Sequence, residues 1–301
     1  MMIKKRMQIM NKHGIINKSQ KEIYHVLVNG KEYLCKARGV FREKSIKPLV
    51  GDKVEVQILD DTTGYIENVF ERKNSLIRPP IANIDQLLLV SSLTNPKLNY
   101  NIFDKYLVML EHFEIPVKLV INKVDLASRE EIDEFVDIYS KTNYEYIFTS
   151  ANQNHGIDDL RRLLEGKISS FAGPSGVGKS TLLNLLHDDF YAETGSISDK
   201  NKRGRHTTRH VELFEIDDET FIFDTPGFSA LNLDFIESHE EVKEYFPEFK
   251  KYSEQCKFRN CMHINEPSCK VKEAVENSLI SKNRYENYIY IVEDIKKERK
   301  F

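Results

Sequence analysis

The stretch GPSGVGKS at residues 173–180 restricts the fold more than any other part of this 301-residue chain. Gly173-Pro174-Ser175-Gly176-Val177-Gly178-Lys179-Ser180 meets the pattern G-x-x-x-x-G-K-[ST], whose glycines let successive backbone N–H groups turn inward around phosphates. The apolar ISSFA before it reads as a strand. The TLLNLLH after it reads as a helix presenting its positive end to an anion. Lys179 is expected to reach the β- and γ-phosphates, and the Ser180 hydroxyl to ligate Mg²⁺, with Thr181 completing the loop.

The surrounding pattern is that of an α/β domain. Apolar strands DQLLLVSS, VKLVIN, YEYIFTSA, ISSFAG, VELFEI and FIFDTPG alternate with the helical patterns NIFDKYLVMLEHFE, REEIDEFVDIYS, GIDDLRRLLEG and STLLNLLH. Such alternation predicts a mostly parallel sheet covered on both faces. FIFDTPG closes a strand in Asp224-Thr225-Pro226-Gly227, a D-x-x-G. There Asp224 is expected to hold the metal through water, and the Gly227 N–H to meet a γ-phosphate. The basic segment KNKRGRHTTRH, 200–210, lies between the two motifs, and either Thr207 or Thr208 is expected to give Mg²⁺ a second hydroxyl.

A second signature precedes the phosphate loop. INKVD, 121–125, follows the strand VKLVI, at the end of a parallel strand where ligands bind. A guanine reader needs a carboxylate that accepts from N1–H and N2–H₂ together, and Asp125 provides one. Asn122 is expected to bridge the base edge and the phosphate loop, the Lys123 stem to cover the ring, and Val124 to space the two ends. Thr149-Ser150-Ala151 closes the next strand, placing the Ser150 and Ala151 backbone where an N–H meets guanine O6. Ordinary GTPases carry these signatures in the opposite order. Both are kept if the domain is circularly permuted, since the termini of α/β domains usually lie near one another at the surface.

Residues 14–70 read as short strands, YHVLV, EYLCKA, DKVEVQI and GYIENVF, separated by turn chemistry such as Asn29-Gly30. A small β-barrel follows, and an OB-fold, commonly a binder of single-stranded or looped nucleic acid, is one kind that fits. Residues 1–75 hold 15 Lys/Arg against 9 Asp/Glu, and the remainder 29 against 38, so a basic module precedes an acidic body. That suggests a polyanion partner, although a solvated lysine-rich surface is the simpler account of charge alone. Arg78-Pro79-Pro80 reads as a linker. No apolar run approaches the ~20 residues needed to span a bilayer, and the basic N-terminus has no apolar h-region behind it. A cytoplasmic protein without membrane association is expected.

Three of the four cysteines fall within 256–269. Cys256, Cys261, His263 and Cys269 form C-x₄-C-x-H-x₅-C, four soft ligands with no open position, which points to one structural Zn²⁺. Cys35 reads as buried core. In the C-terminal stretch, Ile280, Tyr285, Tyr288, Ile289, Val292 and Ile295 fall on one helical face suited to core packing.

Taken in order, NKVD, TSA, GPSGVGKST, GRHTTRH, DTPG and the cysteine cluster resemble the circularly permuted, ribosome-small-subunit-dependent GTPases of bacteria, over nearly the whole chain. The resemblance implies an N-terminal OB-fold, a permuted GTPase domain and a helical zinc domain. It also implies a role in late maturation of the 30S subunit, contact with 16S rRNA, and GTP hydrolysis to GDP stimulated by that particle. The corresponding division is 1–13 as an extension, 14–72 as the barrel, 73–232 as the GTPase domain and 233–301 as the zinc domain. Arg209 stands where the family carries a third threonine, which leaves Thr207 and Thr208 open as metal ligands. Phe228 follows DTPG, where many GTPases place a water-orienting glutamine, so His206 is the candidate catalytic group beside Lys179. A monomer is expected. Two other readings compete: a P-loop kinase, against which INKVD speaks, and an RNA-binding module with a vestigial nucleotide site.

Overall fold

The computed structural model describes residues 11–39, 41, 46–76, 80–186, 211–217, 219–224 and 233–298, and the side chains of Asp224 and Glu298 are outside that set. These residues form two compact units. The first is drawn from within Met1–Gln86, Leu164–Phe171 and Tyr191–Phe228, the second from within Leu87–Leu163, Ala172–Phe190 and Ser229–Phe301.

The first unit is built on a five-stranded barrel of β1 (Asn11–Gln20), β2 (Ile23–Val28), β3 (Lys31–Ala37), β4 (Lys53–Ile58) and β5 (Thr63–Val69). The strands run β1-β2-β3-β5-β4, and β4 returns to pair with β1, so no edge is left open. β3 and β5 pair parallel, while the other pairings of the barrel are antiparallel. Closure needs β1 to serve two neighbours. Its first half pairs β4 from Asn11 to Ile15, its second half pairs β2 from Ile15 to Gln20, and the β2 pairing carries a register shift between Ile16 and Lys18. The alternating inward residues Tyr24, Val26, Val28, Tyr33, Cys35, Val54, Val56 and Ile66 fill the interior with Ile16. Cys35 is fully buried, as its sequence position implies.

β1 is the strand that hydrophobic alternation does not mark. It spans NKHGIINKSQ, with two adjacent isoleucines in place of an alternating set; Ile15, Ile16 and Asn17 are all buried beside the bulge, and of the three Ile16 joins the barrel core. The strand also reaches back into the segment read as an extension. β6 (Ser75–Leu76) and β7 (Ile81–Ala82) form a two-stranded ribbon after the barrel. Of the linker reading Arg78-Pro79-Pro80, the first two residues lie outside the described set.

The same unit carries β11 (Ile168–Ala172), β12 (Glu212–Asp217) and β13 (Thr220–Asp224). β11 and β13 are parallel. β12 runs antiparallel to β13 and to β1, where Lys18 and Glu212 pair at 2.8 Å. The antiparallel β12 is the exception within a mostly parallel reading, and a short loop explains it: two residues between β12 and β13 admit only a hairpin.

The second unit holds β8 (Gln86–Ser91, from Leu87), β9 (Val117–Ile121) and β10 (Glu145–Phe148), parallel in the order β10-β9-β8. β8 is buried at every position, as expected of a strand covered on both faces. Its helices are α1 (Tyr100–His112), α2 (Arg129–Tyr139), α3 (Ile157–Leu164), α4 (Lys179–Leu186), α5 (Pro247–Ser253), α6 (Lys270–Glu276) and α7 (Lys282–Glu298). Asn99 caps α1, and Ser128 with Glu131 forms a capping box on α2.

A buried ionic cluster joins these helices. The Arg284 guanidinium on α7 donates to both Glu248 carboxylate oxygens on α5, at 2.7 and 3.1 Å, and to Asp104 Oδ1 on α1 at 2.6 Å. Asp104 also accepts from Tyr139 Oη on α2 at 2.8 Å and from Asn287 Nδ2 at 2.6 Å. Arg284 and Asp104 are fully buried, and the guanidinium lies over the Phe246 ring at 4.5 Å. Of the expected stripe, Ile280, which precedes α7, and Tyr288, Val292 and Ile295 are buried, but Tyr285 and Ile289 are only partly so. Ile291 and Arg284 take the remaining inward positions.

Removing one partner from a buried pair strands the other charge, a loss of about 3–5 kcal/mol. Arg284→Met is therefore expected to lower the unfolding free energy, measured by denaturant titration, by that amount. Its loss should exceed that of the exposed-pair variant Arg129→Ala several-fold in the same measurement.

Candidate functional site

The residues singled out at 122–125, 149–151 and 173–181 come together in the second unit. Asn122 follows β9, and its N–H donates to the Ser91 carbonyl at 2.8 Å, which fixes the strand end against β8. Lys123 then takes a left-handed backbone, φ 63°, and the chain turns into a single 3₁₀ turn at Val124–Leu126. The turn presents Asp125 on the same side as the loop after β10. The Ser150 hydroxyl donates to Asp125 Oδ1 at 2.5 Å and so orients the carboxylate.

Asn122 is the joint of the arrangement. Its amide donates to the Val177 carbonyl at 2.9 Å, while its Oδ1 accepts from Thr149 Oγ1 at 3.1 Å and from the Ala151 N–H at 3.3 Å. One buried side chain thus ties the 149–151 loop to the 173–180 loop. The tie to the phosphate loop is the one the sequence suggested for this residue. Lys123 Nζ adds a second tie, donating to the carbonyls of Gly176 at 2.6 Å and Asn95 at 2.9 Å.

The glycines of the phosphate loop are there for these contacts. A Cβ at Gly178, φ +98°, would lie 2.4 Å from Asn122 Nδ2, and one at Gly173, φ +133°, would lie 2.0 Å from the Val90 carbonyl oxygen. Val177 is buried beneath the loop, and Ser175, Gly176, Ser180 and Thr181 face outward. Lys179 Nζ lies over the loop, donating to the carbonyls of Gly173 at 2.8 Å and Pro174 at 2.7 Å. Burial lowers its pKa, so an anion held by the loop would supply the charge this ammonium needs. Asp224 ends β13. His206, Thr207, Thr208 and Gly227 lie outside the described residues.

A second cluster is made by Cys256, Cys261, His263 and Cys269, whose ligand atoms all lie within 4.8 Å of one another. His263 Nδ1 is 3.4 Å from Cys269 Sγ and 3.7 Å from Cys256 Sγ, and those two sulfurs are 3.9 Å apart. A tetrahedral ion about 2.3 Å from each sulfur would hold them about 3.8 Å apart, so the four groups fit one metal ion. Burial, helped by Lys243, lowers the His263 imidazole to about 4, leaving it in the neutral form that ligates. The surroundings fix the ligands. Tyr285 Oη donates to the His263 carbonyl at 2.6 Å, Tyr288 Oη to that of Met262 at 2.5 Å, and Lys243 Nζ to that of Cys261 at 3.3 Å. The Glu266 carboxylate accepts from the N–H groups of Met262, Ile264 and Asn265 and holds the turn closed. Sequence spacing found the four ligands but gave no sign of these supports.

Two family models match the chain: an RsgA N-terminal domain over residues 13–66 and an RsgA GTPase over 69–234. The chain belongs to the RsgA GTPase family. A protein of Geobacillus sp. (strain WCH70) named small ribosomal subunit biogenesis GTPase RsgA is 50% identical over 290 residues, covering 95% of this chain and 98% of its own. One of the same name from Alkaliphilus metalliredigens is 44% identical over 280 residues, covering 92% and 96%. Among solved structures, YjeQ from Thermotoga maritima superposes with a TM-score of 0.81 at 38% identity, over 95% of this chain and 98% of that one. YloQ, described as a circularly permuted GTPase, gives 0.82 at 34% identity over 98% of both. The permuted α/β fold, the N-terminal barrel and the GTPase class expected from motif order are those of the family. Among the described residues, no helix is long and apolar enough to cross a membrane.

Four buried or half-buried ligand groups on short connections would couple binding of an ion to the folding of the C-terminal turn. Treatment with a strong chelator is expected to release one metal equivalent per chain and lower the first melting transition. Cys261→Ser should reproduce both effects without the chelator.

Proposed function

We propose that this protein binds and hydrolyses GTP as a late assembly factor of the small ribosomal subunit. In this reading it holds 16S rRNA in the GTP form and leaves after hydrolysis, as a cytoplasmic monomer. The observation that carries the reading is the Asn122 side chain, which joins a guanine-type carboxylate loop to a phosphate loop. A kinase for small acceptors has no use for a base reader built into its phosphate loop.

In this reading Asp125 accepts from guanine N1–H and N2–H₂, held in place by Ser150. The Ala151 region supplies the N–H for O6, and Lys123 covers the ring. The backbone of 173–180 and Lys179 surround the β- and γ-phosphates. Mg²⁺ would be held by Ser180, by Thr207 or Thr208, and by Asp224 through water, and when bound it neutralises charge gathering on the phosphate oxygens. Since Phe228 cannot orient water, His206 takes that part: its imidazole accepts the proton of the attacking water once the 200–210 segment closes. A partner that sets this imidazole against the water would raise turnover. Zn²⁺ suits the Cys₃His cluster, because three thiolates and an imidazole close a tetrahedron with no open position. Its part is structural, holding the C-terminal turn for RNA.

GTP turnover is expected to rise with purified 30S subunits, to stay at the basal rate with 50S subunits, and to be absent with ATP. Stimulation by neither particle would remove the ribosomal reading and leave the GTPase in place. His206→Ala should lower the stimulated rate roughly 10²-fold at unchanged GDP affinity. An unchanged stimulated rate would take the proton transfer away from His206.

A further inference from the structure

Residues 250–260 read KKYSEQCKFRN, four cations and two aromatic rings against a single carboxylate. They stand in the part of the chain where 29 Lys/Arg face 38 Asp/Glu, so this is a basic island in an acidic stretch. Solvation of a lysine-rich surface would account for the cations, but not for the ring among them. Phe258 is 43% exposed, although phenylalanine is ordinarily drawn inside. Cys256 and Cys261 close the loop on either side of it, and both sulfurs belong to the metal cluster. The loop is therefore short, anchored at both ends, and carries its ring outward at little entropic cost.

The cations are arranged around the rings. Lys257 Nζ lies 5.8 Å from the Phe258 centroid, and Lys251 Nζ lies 5.6 Å from that of Tyr252. Beside the loop is a cleft of about 420 Å³ lined by Lys243, Lys250 and Arg259 together with the carboxylates of Glu111, Glu244 and Glu254. The mixed lining decides between ligands. Three carboxylates would repel an acidic peptide or a bare polyphosphate. A nucleotide, by contrast, brings anionic phosphate for the cations and hydroxyl and amino donors for the carboxylates.

We propose that the Cys256–Cys261 loop is a stacking platform for an unpaired RNA nucleotide. The base lies on Phe258, its phosphates meet Lys257 and Arg259, and the 2′-OH or exocyclic amine is received by the neighbouring carboxylates. The inference rests on the reading of the protein as a ribosomal RNA factor and names the contact made by its metal-bound turn. A duplex is excluded as ligand because its bases are already stacked on one another.

The sequence contains no tryptophan, so Phe258→Trp in the full-length, metal-loaded chain is a fluorophore that reports on this position alone. It is titrated with a single-stranded 12-nucleotide RNA, a blunt RNA duplex of the same length, and heparin. The single strand is expected to quench the emission to saturation, and the duplex and heparin to leave it nearly unchanged. Adding Lys257→Ala and Arg259→Ala should weaken the quenching titration on the order of tenfold and flatten its salt dependence. Equal quenching by all three probes, or by none, would overturn the platform and leave a solvated basic tip. Phe258→Leu, which keeps apolar bulk without a ring, serves as a second variant at verified metal content. It should lose single-strand affinity as measured by RNA protection of the 250–260 segment in hydrogen exchange, and retained protection would also overturn the proposal. Wild-type turnover with 30S subunits separates the two readings. Stimulation without quenching removes only the platform, while quenching without stimulation removes the ribosomal role and keeps the RNA contact.

Discussion

The nucleotide region depends on one buried amide. Asn122 has a donor for the phosphate loop at Val177 and an acceptor for the two polar groups of the 149–151 loop, Thr149 Oγ1 and the Ala151 N–H. Inside the protein an unmatched amide would cost about 1–3 kcal/mol, so the three contacts are held together or lost together. Asn122 and Val177 lie 55 residues apart along the chain, and Gly178 has no side chain because this amide occupies the space. Reversing the sequence order of the two loops leaves such a contact untouched, since it depends only on where strands end. That is why a permuted chain can keep the site of its unpermuted relatives.

Much of this was legible in the residues. The phosphate loop, the base loop and the cysteine cluster are short local patterns, and each demands particular atoms at particular spacings. Elements with no local pattern were not legible. β1 lacks alternation because a bulge interrupts it, and it is recognised only by its pairing with both β2 and β4. Arg284 looks like a surface residue of a charged helix. Its burial depends on Asp104, 180 positions away, and on Glu248, 36 positions away. Ile291 faces inward in place of Ile289 because it shares the i, i+4, i+7 face set by Arg284 and Tyr288.

The Arg284 cluster and the metal cluster do comparable work by different chemistry. Each ties together separate segments of the chain. The guanidinium satisfies two carboxylates from α1 and α5, and the cysteine and histidine ligands close a turn that is held from outside by Tyr285, Tyr288 and Lys243. Both arrangements are polar, geometrically demanding and intolerant of partial removal. The rigid end they create carries an exposed ring and its cations at 257–259, a surface that a purely structural turn has no need of.

The central claim is that the carboxylate of Asp125, although it precedes the phosphate loop in sequence, reads guanine in one site with it. The direct measurement is competition binding of GDP and xanthosine diphosphate to the wild type and to Asp125→Asn. Xanthine carries a carbonyl where guanine carries its amino group, so an amide at 125 can donate where a carboxylate only accepts. Weakened GDP binding with strengthened xanthosine diphosphate binding in the variant is the predicted result. Unchanged preference for GDP would contradict the account and place recognition of the base elsewhere.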